Sequence, residues 1–518
     1  MTFGRLRSGD LIASALDPGS FVSWDEPPVA ARDWPREYAG ELARARQSAG
    51  TDESVVTGRG TIEGRAVAVM VSEFAFMGGS IGLDAADRLV RAIRRATSER
   101  LPLLAATASG GTRMQEGTTA FVQMVRIAAA ISAHKNVGLP YLVYLRHPTT
   151  GGVLASWGLL GHVTVAEPGA LIGFLGPRVY QALYHEEFPA GVQTAENLAR
   201  HGIIDAVVAP RHLAALAARA LSLLTDRDLD PSAGTDPAGQ AGFDAAAGGA
   251  VSGDGIAAGD AAVTWASVLA TRRAERPGVR ELLRQAGSSQ VLPLSGTGQG
   301  EPGDGMFLGL ARFGGLSCVL LGQDRSSQTV ERPLGPAALR LARRGMRLAE
   351  ELHLPLVSVI DTPGAALSQA AEEGGLAGEI ARCLEDLVRI DTATVCVLLG
   401  QGAGGGAMAL LPADQVLAAA NAWLSPLPPE GASAIMFGDT IHAPEIAHRQ
   451  GIGAVELARS GIVDVIVAEQ PDAADEPAAF CCRLGEAIGA AIRVASALPS
   501  RERTAARVGR YADPGQGS

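Results

Sequence analysis

Ser109-Gly110-Gly111-Thr112-Arg113-Met114-Gln115-Glu116-Gly117 is the stretch around which the rest of the chain is organised. Upstream, Leu103-Leu104-Ala105-Ala106 follows Pro102 and reads as a buried parallel strand. Downstream, Phe121, Met124, Val125, Ala128 and Ile131 recur at spacings of three and four, which predicts an amphipathic helix. The paired glycines therefore sit where a strand ends and a helix begins. At such a place backbone N–H groups are free and the helix dipole favours negative charge. Glycine also lets a ligand approach the main chain closely. The pattern is that of an oxyanion hole made of backbone.

The 518 residues are too many for one ordinary core, so two or more domains are expected. Hydrophobic residues make up 47% and aromatic residues 4%, which predicts an aliphatic core. A net charge of −11 argues against nucleic acid as a partner. The five cysteines, Cys318, Cys383, Cys396, Cys481 and Cys482, contain no C-x-x-C pair and no accompanying histidine cluster. Neither a metal site nor a disulfide framework is expected, and a reducing cytoplasm is the natural compartment. The first residues lack the basic start and apolar run of a signal peptide. The apolar region Val153–Leu175 is broken by His162, Glu167 and Pro168, so no membrane span is expected.

Strand and helix patterns alternate along the chain, which predicts an α/β layered core. Val55–Ser72 reads as a hairpin, Leu83–Thr97 as a helix, and Tyr141–Leu145 as a strand running into Pro148-Thr149-Thr150-Gly151-Gly152. Residues 226–261 are rich in Ala, Gly and Asp and poor in branched aliphatics. They are expected to be a disordered linker between domains at 1–225 and 262–518. The two halves repeat each other. Leu101-Pro102-Leu103-Leu104 answers Leu354-Pro355-Leu356-Val357 at an offset of 253, and Gly151-Gly152 answers Gly405-Gly406 at 254. Thr194–Asp205 answers Gly453–Asp464 at 259. A period of that length means two whole domains from one duplicated fold.

Three turns are candidate sites. Gly110-Gly111-Thr112 is the first, although such a turn also occurs where glycine merely packs. Gly400-Gln401-Gly402-Ala403-Gly404-Gly405-Gly406-Ala407 fits G-x-G-x-x-G, but no acidic residue follows at the distance a dinucleotide site needs. A second turn of free backbone donors suits the repeat better. Asp361-Thr362-Pro363-Gly364 is the counterpart of the central turn, and Asp361 reads more readily as a turn former than as a catalytic acid. His147 is the one histidine beside a candidate site. There is no G-x-S-x-G elbow, Walker A loop or H-E-x-x-H. Two backbone oxyanion holes without a strong side-chain base point to enolate stabilisation, with the base supplied from elsewhere.

These residues carry a resemblance. The first half is similar to the beta subunit of bacterial acetyl-CoA carboxylase carboxyltransferase through Phe76–Ser80, Ser109–Glu116, Pro148–Val153, Ala166-Glu167-Pro168 and Leu171–Val179. The second half resembles the alpha subunit through Ile360–Ala365, Gly400–Ala407, Ser425-Pro426 and Pro429-Glu430-Gly431. The resemblance implies two tandem crotonase-type α/β domains and a natural beta–alpha fusion. It implies a carboxyl group brought by biotin on a biotin carboxyl carrier protein, charged by a biotin carboxylase, and moved to the alpha carbon of acetyl-CoA or another short acyl-CoA. It further implies that Gly110, Gly111 and Thr112 hold the thioester enolate and that Gly405, Gly406 and Ala407 hold the ureido oxygen. Arg113, Thr149, Thr150, Gly151, Gly152, Arg178 and Gly364 would bind substrate, and the assembly would be a homodimer. The chain departs from the family pattern in lacking the four-cysteine zinc ribbon and in having Thr112 for a small alanine and Gly404 for a serine. Lysines of the family are also missing at Gly169 and in Gln323–Gln328.

Overall fold

The computed structural model describes residues 6–28, 34–174, 185–225, 260–286, 291–329 and 332–510. The linker residues 226–259 and Arg178 lie outside the described residues. The chain divides into two compact units, the first made of Met1–Thr225 with the short stretch Gly298–Glu301 and the second of the remaining residues. Helical structure in the second unit starts just ahead of residue 262. Asp260 caps the helix Ala261–Thr271, its carboxylate accepting from the N–H groups of Ala262 and Val263.

The strands of the first unit are β1 (Val22–Ser23), β2 (Val55–Ile62), β3 (Arg65–Ser72), β4 (Leu103–Ser109), β5 (Tyr141–Thr150), β6 (Val163–Ala166), β7 (Ile172–Gly173) and β8 (Ala206–Val207). Their order is β1-β2-β3-β4-β5-β6-β8, with β7 also on β5. The hairpin β2–β3 turns on Glu63 and Gly64, whose φ of 48° and 77° give the twist that flanking strands need. From β3 onward the pairing is parallel. Every residue of β4 is buried, as expected for a parallel strand covered on both faces. The helix Leu83–Ser98 presents Leu89, Ile93 and Ala96 to this sheet's aliphatic core.

The second unit repeats this plan with β9 (Leu292–Leu294), β10 (Met306–Phe313), β11 (Leu316–Gln323), β12 (Leu356–Thr362), β13 (Thr394–Ala403), β14 (Gln415–Ala419), β15 (Trp423–Ser425) and β16 (Val465–Val467). The order is β9-β10-β11-β12-β13-β14-β16, with β15 on β13. Even an irregularity is duplicated. Thr107 pairs with Leu145 but Ser109 with Thr149; Ile360 pairs with Leu398 but Thr362 with Gly402. Each later strand therefore carries a bulge just before its glycine turn. The bridges Ile81–Thr112 and Leu334–Ala365 also stand at the same offset.

This register corrects the sequence alignment by one residue. Gly151-Gly152 corresponds to Gly404-Gly405, not Gly405-Gly406, and the first glycine of each pair has a left-handed φ, 65° and 66°. The helix after the central turn also differs from its expected face. It is broken at Val122 into Gly117–Phe121 and Gln123–Asn136, and it buries Met124, Ile127 and Ile131 while Phe121 and Val125 face outward.

Candidate active site

In the central turn most backbone donors are already used. The Gly110 N–H donates to the Gly78 carbonyl at 2.8 Å, and the Gly111 N–H donates to Ser109 Oγ at 3.0 Å. On either side, Ile81 N–H donates to Gly111 O and Arg113 N–H to Ile81 O. Among the described residues this leaves the N–H of half-buried Thr112 without a partner. The neighbouring turn behaves alike. Gly151 N–H donates to Phe174 O at 3.0 Å, whereas Gly152 opens the next helical turn with its N–H unused among the described residues. The two turns touch. A Cβ on Gly111 would lie 3.4 Å from Gly152 N, and one on Gly152 would lie 3.2 Å from Thr112 Oγ1. Thr112 and Gly152 thus offer adjacent donors.

The second unit builds the same pair. Gly364 N–H donates to Thr362 Oγ1 at 3.2 Å and Ala366 N–H to Leu334 O at 2.9 Å, leaving the Ala365 N–H unused among the described residues. Across from it, the helix Gly404–Met408 starts after its cap residue Ala403. Gly405 and Gly406 are in the first turn, where N–H groups have no intrahelical acceptor, while buried Ala407 is the residue that closes that turn. A Cβ on Gly406 would lie 3.4 Å from Ala365 N, and the space beside Gly364 is open. Half-buried Ala365 and Gly405 stand at Thr112 and Gly152 plus 253.

The sequence reading singled out both turns, but some of the donors it named are already used within the fold. The Gly110 and Gly111 N–H groups serve the fold. Gly152 was expected only as a substrate contact, and Ala365 was missed, although Ile360–Ala365 was already singled out. Arg113 requires a clear correction. It is 1% exposed and binds Glu53, Glu116 and the Ser80 carbonyl, so it braces the turn instead of meeting a substrate. Burial, the largest single influence, would lower its pKa, but the hydrogen bonds it donates to Glu53 and the charge of that carboxylate, with Tyr38 beside them, together hold the guanidinium above its ordinary value. Glu116 also accepts Tyr38 Oη–H and the Leu83 N–H at 2.6 Å. Tyr38 lies on the helix Arg36–Ala49, so this part of the N-terminal lead-in supports the central turn.

The other expected contacts sort similarly. Buried Thr149 spends its hydroxyl on Thr107 O and Arg146 O, and Thr150 Oγ1 donates to Ser109 O at 3.3 Å. His147 Nδ1 accepts the Leu171 N–H, holding the strand next to the turn. In the second unit the segment read as a thinned basic stretch is a buttress. Gln323 accepts the Asp361 N–H through Oε1 and donates through Nε2 to Gly406 O at 2.6 Å. Gln328 donates to Asp361 O and accepts from Thr362 Oγ1. Burial pushes the Asp361 carboxyl pKa up, with Arg325 opposing that rise.

Both turns present pairs of fixed N–H donors where an oxyanion could sit, which is the arrangement that stabilises developing negative charge in acyl chemistry. Two family models match the chain. The carboxyl transferase domain matches residues 4–224, and the acetyl co-enzyme A carboxylase carboxyltransferase-like model matches residues 260–515. The probable biotin-dependent acyl-coenzyme A carboxylase beta3 subunit of Mycobacterium tuberculosis is 58% identical over 507 residues, 98% of each chain. The acetyl-coenzyme A carboxylase carboxyl transferase subunits beta/alpha of Salinispora arenicola are 37% identical, over 92% of this chain and 85% of that one. The crystal structure of transcarboxylase 12S superposes with a TM-score of 0.68 at 20% identity, covering 93% of this chain and 89% of that one. That likeness shows the fold, a pair of crotonase-type units. Transcarboxylase 12S is a hexamer assembly, whereas the resemblance implies a homodimer. With its two duplicated units and both pairs of donors, the chain belongs to the carboxyltransferase subunits of biotin-dependent acyl-CoA carboxylases.

Proposed function

We propose that this chain transfers a carboxyl group to the alpha carbon of acetyl-CoA or another short acyl-CoA, with one donor pair serving each reactant. The observation that carries this reading is the duplication itself, two N–H groups side by side at equivalent residues of each unit, both unpaired among the described residues. Thr112 and Gly152 would hold the thioester oxygen as it gains enolate charge, and Ala365 and Gly405 would hold the ureido oxygen of biotin. The open space beside Gly364 suits that bicyclic ring, and a urea oxygen matches two N–H donors. Biotin, on a biotin carboxyl carrier protein charged by a biotin carboxylase, would supply the carboxyl group and the base. The chain's own part is to hold both oxygens with donors that do not reorganise during the reaction. Its fixed Gly-rich backbone also admits both reactants closely. Arg113 and Thr149 act by holding the turn, and Gly151 and Gly364 by keeping the approach narrow and unobstructed.

Among the described residues no helix is long and apolar enough to cross a membrane. The assembly to test is a hexamer, in place of the homodimer. Incubating the chain with carboxylated carrier and a panel of short acyl-CoAs tests the reading. Transfer of label from carrier to acyl-CoA is the expected result, and the best acyl chain names the substrate. No transfer to any acyl-CoA would overturn it.

A further inference from the structure

The bulge that swings β13 toward its glycine turn leaves backbone groups unpaired, and the two units satisfy them differently. Across the bulge β5 passes through Arg146, His147 and Pro148 while β4 passes through Ala108 alone; β13 passes through Leu399, Gly400 and Gln401 while β12 passes through Asp361 alone. In the first unit the last of these residues is proline, which has no N–H, and its opposite number is alanine, whose side chain offers no acceptor. In the second unit the same position is Gln401, which does have an N–H. Opposite it stands Asp361, 1% exposed, whose Oδ1 accepts that N–H at 3.2 Å. The free carbonyl is treated likewise. Arg146 O accepts Thr149 Oγ1–H in the first unit, whereas Leu399 O accepts Arg276 Nη2–H at 3.0 Å in the second. Arg276 is in turn held by Glu469 through two bonds of 2.7 Å. Gly400 belongs to the same device, since a Cβ there would lie 2.6 Å from Asp361 Oδ1.

We propose that Asp361 is a positioning residue for the second donor pair, its carboxylate oxygen replacing the proline of the first unit by satisfying the bulge and so fixing where Gly405 points. Only three residues separate Gln401 from Gly405, so a bulge that loses its acceptor misdirects the turn directly. What the second unit needs from this side chain is an acceptor, and an amide oxygen supplies one.

The proposal rests on the functional reading above for its activity readout, while its structural readout is independent. Asp361→Ala and Asp361→Asn are compared in the full chain by label transfer from carrier to acyl-CoA and by amide hydrogen exchange. The expected result for Asp361→Ala is a fall in kcat on the order of 100-fold, as for an ångström-scale misplacement of a reacting group. Its KM for acyl-CoA should be unchanged, because the first unit is untouched, and exchange should speed up in residues 400–407. Asp361→Asn should keep both kcat and slow exchange. If Asp361→Ala fails to fold, Asp361→Asn alone still decides. Fast exchange at 400–407 in a folded Asp361→Asn protein would overturn the proposal, as would unaltered exchange in a folded Asp361→Ala protein. If wild-type protein transfers no label, the functional reading falls and the exchange data still judge the positioning role.

Discussion

The two units share their strand order and the register through their glycine turns, yet they brace those turns with unrelated side chains. In the first, Arg113 stands just after the turn and gathers Glu53, Glu116 and Ser80 O, with Tyr38 donating to the same Glu116. Its counterpart at plus 253 is Ala366, which braces nothing. In the second, the polar support comes before the turn, from Gln323, Gln328 and Asp361, and the counterpart of Asp361 is Ala108. What both units keep is the bulge, the left-handed glycine and two adjacent N–H groups that are unpaired among the described residues. Side chains have diverged where they only support, and the backbone is the same where it would act.

That contrast can be broken most severely in the first unit. Arg113→Met removes one partner of a fully buried ion cluster and leaves Glu53 uncompensated. It should cost the first unit about 3–5 kcal/mol, read by denaturant unfolding, without a change in the KM for acyl-CoA in whatever protein stays folded. A stable variant with a raised KM would return Arg113 to the substrate. Next in size are the donors. Gly152 and Gly405 stand in first helical turns, where proline is tolerated and deletes the N–H. Gly152→Pro and Gly405→Pro should each transfer carboxyl about 100- to 1,000-fold more slowly than the matching alanine variants, which control for the added Cβ. Equal rates for proline and alanine would mean that these turns only pack. The smallest effect belongs to Thr112, whose side chain makes no hydrogen bond among the described residues. Thr112→Ala should stay within about tenfold of wild type in kcat, because the donor is backbone. A larger loss would assign a role to the hydroxyl.

Much of this was legible in the sequence, for physical reasons. The hairpin, the buried strands and the alternation of layers follow from hydrophobic period, and the duplication from collinear glycines and prolines. The turns were visible because glycine marks both left-handed backbone and close approach. The donors were harder to place. Gly110 looked free, but its acceptor is Gly78 O, 32 residues earlier, and that contact depends on how the Gly78–Ser80 loop folds back. Arg113 beside a glycine turn reads as an anion binder until Glu53, 60 residues away, proves to hold it. The slip between Gly404-Gly405 and Gly405-Gly406 came from aligning like letters, where only the strand register distinguishes them. Phe121 and Val125 fit a helical period drawn through Val122, where the helix in fact breaks.

The most direct test of the central claim, that one donor pair waits for each of two reactants, is to follow loss of the carboxylate from malonyl-CoA with and without free biotin or a biotinylated carrier. Microscopic reversibility requires the same two pairs to serve that reverse direction. The account predicts slow loss that depends on biotin and disappears in Gly405→Pro. Equal loss without biotin would contradict it and mark the chain as a biotin-independent decarboxylase of malonyl-type thioesters. No loss under either condition would contradict it as well, and would leave a folded chain serving as a scaffold in a carboxylase complex.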